Sequence, residues 1–412
     1  MSKFYTSEHR YNMQQIHDPM SKQPPSIFRL AFRPFFLFGS IYCVIALFLW
    51  ASQFFHDIGF NPYGGSYWWH SHEMVFGFST AIITGFLLTA VQNWTGIPGI
   101  KGNKLIFLVV LWLIPRVLMV VPSLVPDVII VIFDLLLLPA VAIVLATPVV
   151  KIKQWRNILF VPILLIFTIQ NGLFHWGILN EDLMLVRNAI WSSVFTIVLL
   201  ISIVGSRVIP FFTARGTGTE PMTKIVSLEI VANVAIVLLV LYFLFGKPSV
   251  ISTLLVQTVL FFGVLAQLIR WFRWKFWICS KVPLLWSLHL SYLFIPIGLV
   301  LLLLNSLGVS VSESQALHSF TVGSIGGMVL AMIARVSLGH TGRMLETLPM
   351  MRWAFGMIVL AALIRSPLLS INLLSITWSL TISFALFIIA YLVFVFKYFG
   401  ILTSPRVDGR PG

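Results

Sequence analysis

Two histidines and a glutamate lie close together at the start of an apolar stretch of the chain. The stretch reads WWHSHEMVFG over residues 68–77, and its ionisable residues are His70, His72 and Glu73. Imidazole and carboxylate groups ligate transition metals and transfer protons. Burying them in a membrane helix is costly, so those found there usually serve a function. The stretch therefore predicts a metal-binding or proton-transferring site.

A second histidine has a similar setting much later in the chain. His72 and His318 each precede a Thr-Gly pair by 23 residues. A glycine, Gly77 or Gly323, follows each of them by five residues. Two imidazoles at equal depth on different helices can be the axial ligands of a haem iron, and no cysteine suits thiolate ligation. We expect His72 and His318 as haem axial ligands, with His70 as a further candidate.

The two histidines of WWHSHEMVFG have different directions on a helix. His70 and His72 are two positions apart, so on a regular helix they point about 200° away from each other. Either His70 lies before the first full turn and bends inward, or the two residues serve two centres on opposite faces. Glu73 lies close enough to His72 to hydrogen-bond to a ligand's second nitrogen or to relay protons.

Arginines and glycines near these helix ends each have two interpretations. Arg116 and Arg365 can bind haem propionates, or can extend to lipid headgroups. The glycines that follow the two histidines leave room for a porphyrin face, or let helices pack closely without a ligand. These glycines are Gly77, Gly323, Gly326 and Gly327.

The elements that position these residues are membrane helices. The chain has 412 residues, of which 58% are hydrophobic and 10% charged, against about 25% charged in soluble domains. Apolar runs of about 20 residues, long enough to cross a bilayer, recur almost to the C-terminus. We predict an all-α polytopic membrane protein with a twelve-helix transmembrane bundle. The predicted helices are 34–54, 70–92, 104–122, 126–147, 158–179, 188–211, 225–245, 250–269, 284–306, 316–337, 353–372 and 376–397.

Loop charge predicts the orientation of the bundle. With cytoplasmic N- and C-termini, 23 of the 27 Lys and Arg residues fall on the cytoplasmic side, as the positive-inside rule expects. Topology therefore explains the net charge of +14 without nucleic acid as a partner. Residues 1–30 are expected to be a polar cytoplasmic arm, 31–400 a single transmembrane domain and 401–412 a cytoplasmic tail. Arg365-Ser366-Pro367 is expected to interrupt helix 11.

Four blocks of sequence resemble conserved blocks of a known family. They are FRLAFRPFFL at 28–37, WHSHEMVFGF at 69–78, GFLLTAVQNWTG at 85–96 and RVSLGHTGR at 335–343. Together they resemble the NnrS family of bacterial inner-membrane proteins. The resemblance implies a twelve-helix protein that contains haem and copper and takes part in the response to nitric oxide. It also implies that the histidines of WHSHE and of helix 10 are metal ligands.

The predicted architecture is similar, more weakly, to the catalytic subunit of haem-copper oxidases and nitric oxide reductases. In that superfamily, helices 2 and 10 hold the low-spin haem. The present chain lacks the histidines that the superfamily carries on helices 6 and 7, so a copper site cannot be built in the same way. His70 and His175, with one further group, are the conjectured copper ligands.

Three functions are compatible with these features. The first is a protein with a haem, expected to be b-type, that binds or buffers nitric oxide or protects cellular iron from it. The second is an oxidoreductase that takes electrons from quinol and reduces nitric oxide or a related substrate. The third is a transporter that uses the intramembrane histidines and glutamate without haem. Whether the protein has catalytic turnover stays open at the level of sequence.

Overall fold

The computed structural model describes residues 24–220 and 222–410, which form helices and no strand. Twelve helices in this part of the chain are long and apolar enough to cross a membrane, as predicted. They are α1 (Phe32–His56), α2 (Gly65–Thr95), α3 (Asn103–Val120), α4 (Asp127–Lys151), α5 (Trp155–Leu179), α6 (Leu183–Thr217), α7 (Val226–Leu244), α8 (Thr253–Arg273), α9 (Pro283–Ser306), α10 (Glu313–His340), α11 (Met351–Ser370) and α12 (Ile376–Thr403). Most of the predicted N-terminal arm, residues 1–23, lies outside the described residues.

The helices α2 and α10 lie in the interior of the bundle. In their apolar segments 78% and 72% of the residues are buried, against 33% in α7 and in α8. Most side chains of α2 and α10 therefore meet protein rather than lipid. This position explains how both helices carry ionisable residues at membrane depth.

Both interior helices contain a π-helical segment that begins directly after a histidine. In α2 the segment is Glu73–Ser79, after His72, and in α10 it is Ser319–Gly326, after His318. The similarity in residue spacing therefore extends to the backbone. π-Helical turns are rare and often occur at functional sites.

The helix α11 is interrupted where the sequence predicted a break. A first segment ends at Arg365, Ser366 leaves helical geometry with φ −123° and ψ −91°, and Pro367 begins the last turn. Proline has no backbone N–H to continue the helical ladder, so the interruption is expected there. The break lies next to the cavity described below.

The glycines of α2 and α10 allow neighbouring side chains to pack closely. A Cβ atom on Gly77 would lie 2.7 Å from Arg116 Nη1, and one on Gly326 would lie 2.7 Å from the ring of Phe387. The side chain of Ser291 occupies the space beside Gly327 in the same way. Of the two interpretations of these glycines, close packing is the one that the structure shows.

Candidate functional site

A mostly apolar cavity of about 340 Å³ lies among α1, α2, α6, α10, α11 and α12, and we call it the histidine cavity. Two histidines from the two interior helices, His70 of α2 and His318 of α10, line it. Its volume lies within the range of about 300–1,000 Å³ that is usual for small-molecule sites. Its other charged residues are Arg187, Glu313 and Arg365, and its aromatic residues include Trp50, Trp191 and Phe387.

His70 is held in the cavity by an aromatic stack. Its ring lies parallel to that of Trp50, with centroids 4.9 Å apart and an angle of 11° between the planes. Its Nδ1 atom is buried and has no hydrogen-bond partner among the residues that the structure describes. Buried polar atoms are nearly always paired. His289 Nδ1 is also buried and unpaired among the described residues, so it is the position of His70 in the cavity, together with this free nitrogen, that makes His70 a candidate ligand.

His318 is held by its own helix in one tautomer. Its Nδ1 donates to the backbone carbonyl of Ser314 over 2.7 Å, so the lone pair of the neutral ring is on Nε2. The nearest donor to that lone pair is Arg365 Nη2, at 3.4 Å. In metal-ligating histidines the N–H of the second ring nitrogen usually donates a hydrogen bond in this way, and this hydrogen bond fixes the tautomer and the ring orientation.

Two cations accompany the histidines in the cavity. Arg365, one of the two arginines predicted as propionate contacts, lines the cavity and donates to Ser314 Oγ over 3.1 Å. Arg187 forms an ion pair with Glu313, whose other carboxylate oxygen lies 3.4 Å from Lys247 Nζ. Arg187 was not among the residues that the sequence pointed to.

On the other side of α2, His72 belongs to a second group of side chains, which we call the buried cluster: His72, Asp134 and His175. The Nε2 atoms of the two histidines lie 3.2 Å and 3.1 Å from the same oxygen, Asp134 Oδ2. Asn171 Nδ2 donates to that oxygen over 2.6 Å. All three members of the cluster are at most 5% exposed.

Ion pairs from α2 and α3 surround the buried cluster. Glu73 accepts a hydrogen bond from His72 Nδ1 over 2.8 Å, which is the contact that the sequence allowed, and Tyr42 donates to its other oxygen. Arg116 lies 2.9 Å from Glu73 and also pairs with Asp134. Arg116 is therefore occupied here, and the structure does not place it at the histidine cavity, where a propionate contact would need it.

Tyr63, in the turn before α2, closes the cluster on the side of His175. Its hydroxyl lies 3.2 Å from His175 Nδ1. Burial, with a smaller contribution from the charge of Asp127, raises the pKa of Tyr63 above the usual range of a phenol. The hydroxyl therefore stays protonated and available for hydrogen bonding at neutral pH.

In the structure the predicted histidines form different pairs from those that their sequence spacing suggested. His318 shares a cavity with His70 rather than with His72, and His175 shares a cluster with His72 rather than with His70. The reason is that residues two positions apart on a helix, such as His70 and His72 on α2, point in nearly opposite directions. His70 and His72 therefore face different surroundings in the structure, and the assignment of a separate centre to each of them stays a prediction.

Asp134 and Asn171 are not among the predicted site residues. Asp134 is a single carboxylate within the apolar run VIFDLLLL of α4, and such residues inside membrane helices are functional candidates by default. That signal could have found it. Asn171 carries no comparable signal, because an amide in an apolar helix often bonds only to a neighbouring helix.

The fold and these sites define a multi-pass membrane protein in which two interior helices hold histidines at two separate centres. A family model described as NnrS protein matches residues 26–406. The chain belongs to the NnrS family. A comparison with curated proteins finds no match.

Proposed function

We propose that this membrane protein binds haem in the histidine cavity and protects the cell against nitric oxide, by binding it or by protecting cellular iron. The observation that carries the proposal is that His70 and His318, from different helices, line one apolar cavity. Membership of the NnrS family supports the same function, because the family resemblance implies haem and the nitric oxide response. The same membership supports a location in the bacterial inner membrane.

The side chains of the cavity fit a haem in three respects. His70 has an unpaired buried nitrogen, and His318 has its lone pair on Nε2, so each can supply one axial ligand. Arg187 and Arg365 are cations that suit the two propionates. The aromatic lining, with Trp50 behind His70, suits an apolar macrocycle.

Each part of the cavity has a separate task in this proposal. A haem held by His70 and His318 would supply the iron that binds nitric oxide, and one of the two histidines would have to leave the iron when nitric oxide binds. Trp50 orients the imidazole of His70, and the carbonyl of Ser314 keeps a proton on His318 Nδ1. An uncharged diatomic molecule such as nitric oxide can reach the cavity through lipid.

The first test is an optical spectrum of the full chain, expressed with adequate haem and purified in detergent. A Soret band is expected, and it should shift when nitric oxide is added to the reduced protein. Absence of the band would refute the proposal and favour a transporter that uses the same histidines without haem.

A second measurement separates the binding protein from a quinol-linked oxidoreductase. The reduced protein is mixed with nitric oxide and a quinol donor, and the loss of nitric oxide is followed with time. If the protein only binds or buffers nitric oxide, the nitric oxide lost should not exceed the amount of protein present. Continuous consumption would favour the oxidoreductase, whose catalytic residues the cavity does not yet identify.

A further inference from the structure

The buried cluster has the ligands of a metal site that is separate from the histidine cavity. We propose that His72, Asp134 and His175 bind one divalent transition-metal ion. The three residues come from α2, α4 and α5, and one ligand atom of each lies within 4.8 Å of the other two. The inference is independent of haem, because no residue of this set lines the histidine cavity.

The separations of the ligand atoms suit a metal ion between them. Metal bonds to histidine nitrogen and carboxylate oxygen are about 2.0–2.2 Å long. Ligand atoms around one ion are then about 3.0 Å apart at octahedral angles and about 3.4 Å apart at tetrahedral angles. The two distances from histidine Nε2 to Asp134 Oδ2 are 3.2 Å and 3.1 Å. Both distances therefore suit ligands of one ion, and a ring nitrogen of one histidine lies within 4.8 Å of a ring nitrogen of the other.

Each of the three ligands is already fixed by a second residue through its other polar atom. His72 Nδ1 donates to Glu73 over 2.8 Å, and His175 Nδ1 lies 3.2 Å from the hydroxyl of Tyr63. The second oxygen of Asp134 pairs with Arg116. A metal-ligating histidine typically donates its remaining N–H to a carboxylate or another acceptor, which directs the lone pair of the first nitrogen to the metal.

Two further features provide for a larger coordination number. Asn171 Oδ1 lies 3.0 Å from His72 Nε2, so an amide oxygen is available as a fourth ligand. A cavity of about 10 Å³ lies beside Asp134 and Asn171, about the smallest space that holds one water molecule. Two imidazoles and one carboxylate, with positions left for other ligands, form a donor set that suits iron(II), zinc and related ions.

The competing occupant of the cluster is a proton. Glu73 and Asp134 are acidic and Arg116 is basic, so the group has a formal charge of −1 when both histidines are neutral. A second proton on the ring of His72 would neutralise this charge. The imidazolium could then donate from Nδ1 to Glu73 and from Nε2 to Asp134. The experiment must therefore detect the ion itself rather than the stability or activity of the protein.

The test is a titration of Co²⁺ into the tag-free, full-length protein after removal of metals with a chelator. Saturable binding of one Co²⁺ per chain is expected, with the visible absorption of an ion bound by nitrogen and oxygen, and Zn²⁺ should displace it. In His175→Gln the affinity should fall at least tenfold, although the amide can still donate to Asp134. His289→Gln is the matched control, because His289 is also buried and hydrogen-bonded, to Thr213 over 2.9 Å.

Folded wild-type protein without saturable Co²⁺ binding would overturn the metal site and leave the protonated histidine as the occupant. Undiminished binding in His175→Gln would overturn the assignment of the ligands. If His175→Gln does not fold, as judged by gel filtration, the wild-type titration alone decides. His318→Ala separates the two proposals, because it should lose haem and retain Co²⁺. Co²⁺ binding by a protein without any haem would refute only the proposed function.

Discussion

Arg116 is expected to contribute more to stability than any exposed arginine of the chain. It contacts both Glu73 and Asp134, and the exposed fractions of the three side chains are 2%, 0% and 2%. Arg116→Met keeps much of the side-chain volume but leaves two buried carboxylates without their cation. Breaking a buried ion pair in this way costs about 3–5 kcal/mol of unfolding free energy.

The matched control is the ion pair of Arg187 with Glu313, whose side chains are 41% and 30% exposed. Arg187→Met should cost about 0–1 kcal/mol, because solvent already screens that pair. Unfolding of both variants in mixed micelles of rising SDS fraction measures the difference, after removal of metal and of haem so that the proposed propionate contact of Arg187 does not contribute. We also expect that Glu73→Gln, added to Arg116→Met, recovers part of the loss. Equal losses of unfolding free energy in Arg116→Met and Arg187→Met would refute the claim that the buried ion pairs stabilise the protein more than the exposed one.

Three further predictions concern the surroundings of the two sites and the C-terminal segment. Trp50→Leu removes the aromatic stack on His70. Because an aromatic pair contributes about 0.5–1.5 kcal/mol, haem should bind about 2- to 12-fold more weakly in a spectroscopic titration. Unchanged haem affinity would show that the stack does not hold His70. Ser312→Ala removes the N-terminal cap of α10 and should lower the unfolding free energy by about 1 kcal/mol in the SDS assay, whereas no change would show that the cap is dispensable. The hydrogen bond from Arg406 lowers the pKa of Asp408 to about 2. The contact therefore stabilises the C-terminal segment fully above the ordinary aspartate pKa, and this stabilisation is lost only as the pH falls through about 2. Pepsin at pH 3 should therefore cleave the segment after α12 more slowly in the wild type than in Asp408→Asn, and equal rates would contradict this contact.

The number of the helices could be predicted because hydropathy records apolar length, but their limits could not, and Leu183–Thr217 extends five residues before and six residues beyond the predicted 188–211. Twelve apolar runs gave twelve helices, and Arg365-Ser366-Pro367 gave the expected break in α11. The π-helical segments could not be predicted in this way, because they change the hydrogen-bond pattern without changing the apolar length. The orientation of the bundle and its division into arm, domain and tail stay predictions.

The pairing of the histidines could not be predicted because it depends on which neighbour each face of α2 meets. Most of α2 is buried in protein, with 78% of its apolar segment buried, so no polar face marks the direction of His70 or of His72. The spacing to Thr-Gly places His72 and His318 at equivalent positions along their helices, but equivalent positions do not require a shared cavity. The acid of the buried cluster, Asp134, comes from a helix without any histidine, so a search for histidine motifs passes over it.

The most direct test of the central claim is the optical spectrum of the haem protein with single histidines removed. We expect His70→Ala and His318→Ala each to lose the six-coordinate spectrum. His72→Ala should retain it because His72 faces the buried cluster, and His289→Ala should retain it as a control. Loss of the six-coordinate spectrum in His72→Ala, together with its retention in His70→Ala, would contradict the assignment of His70 and His318 as the haem ligands.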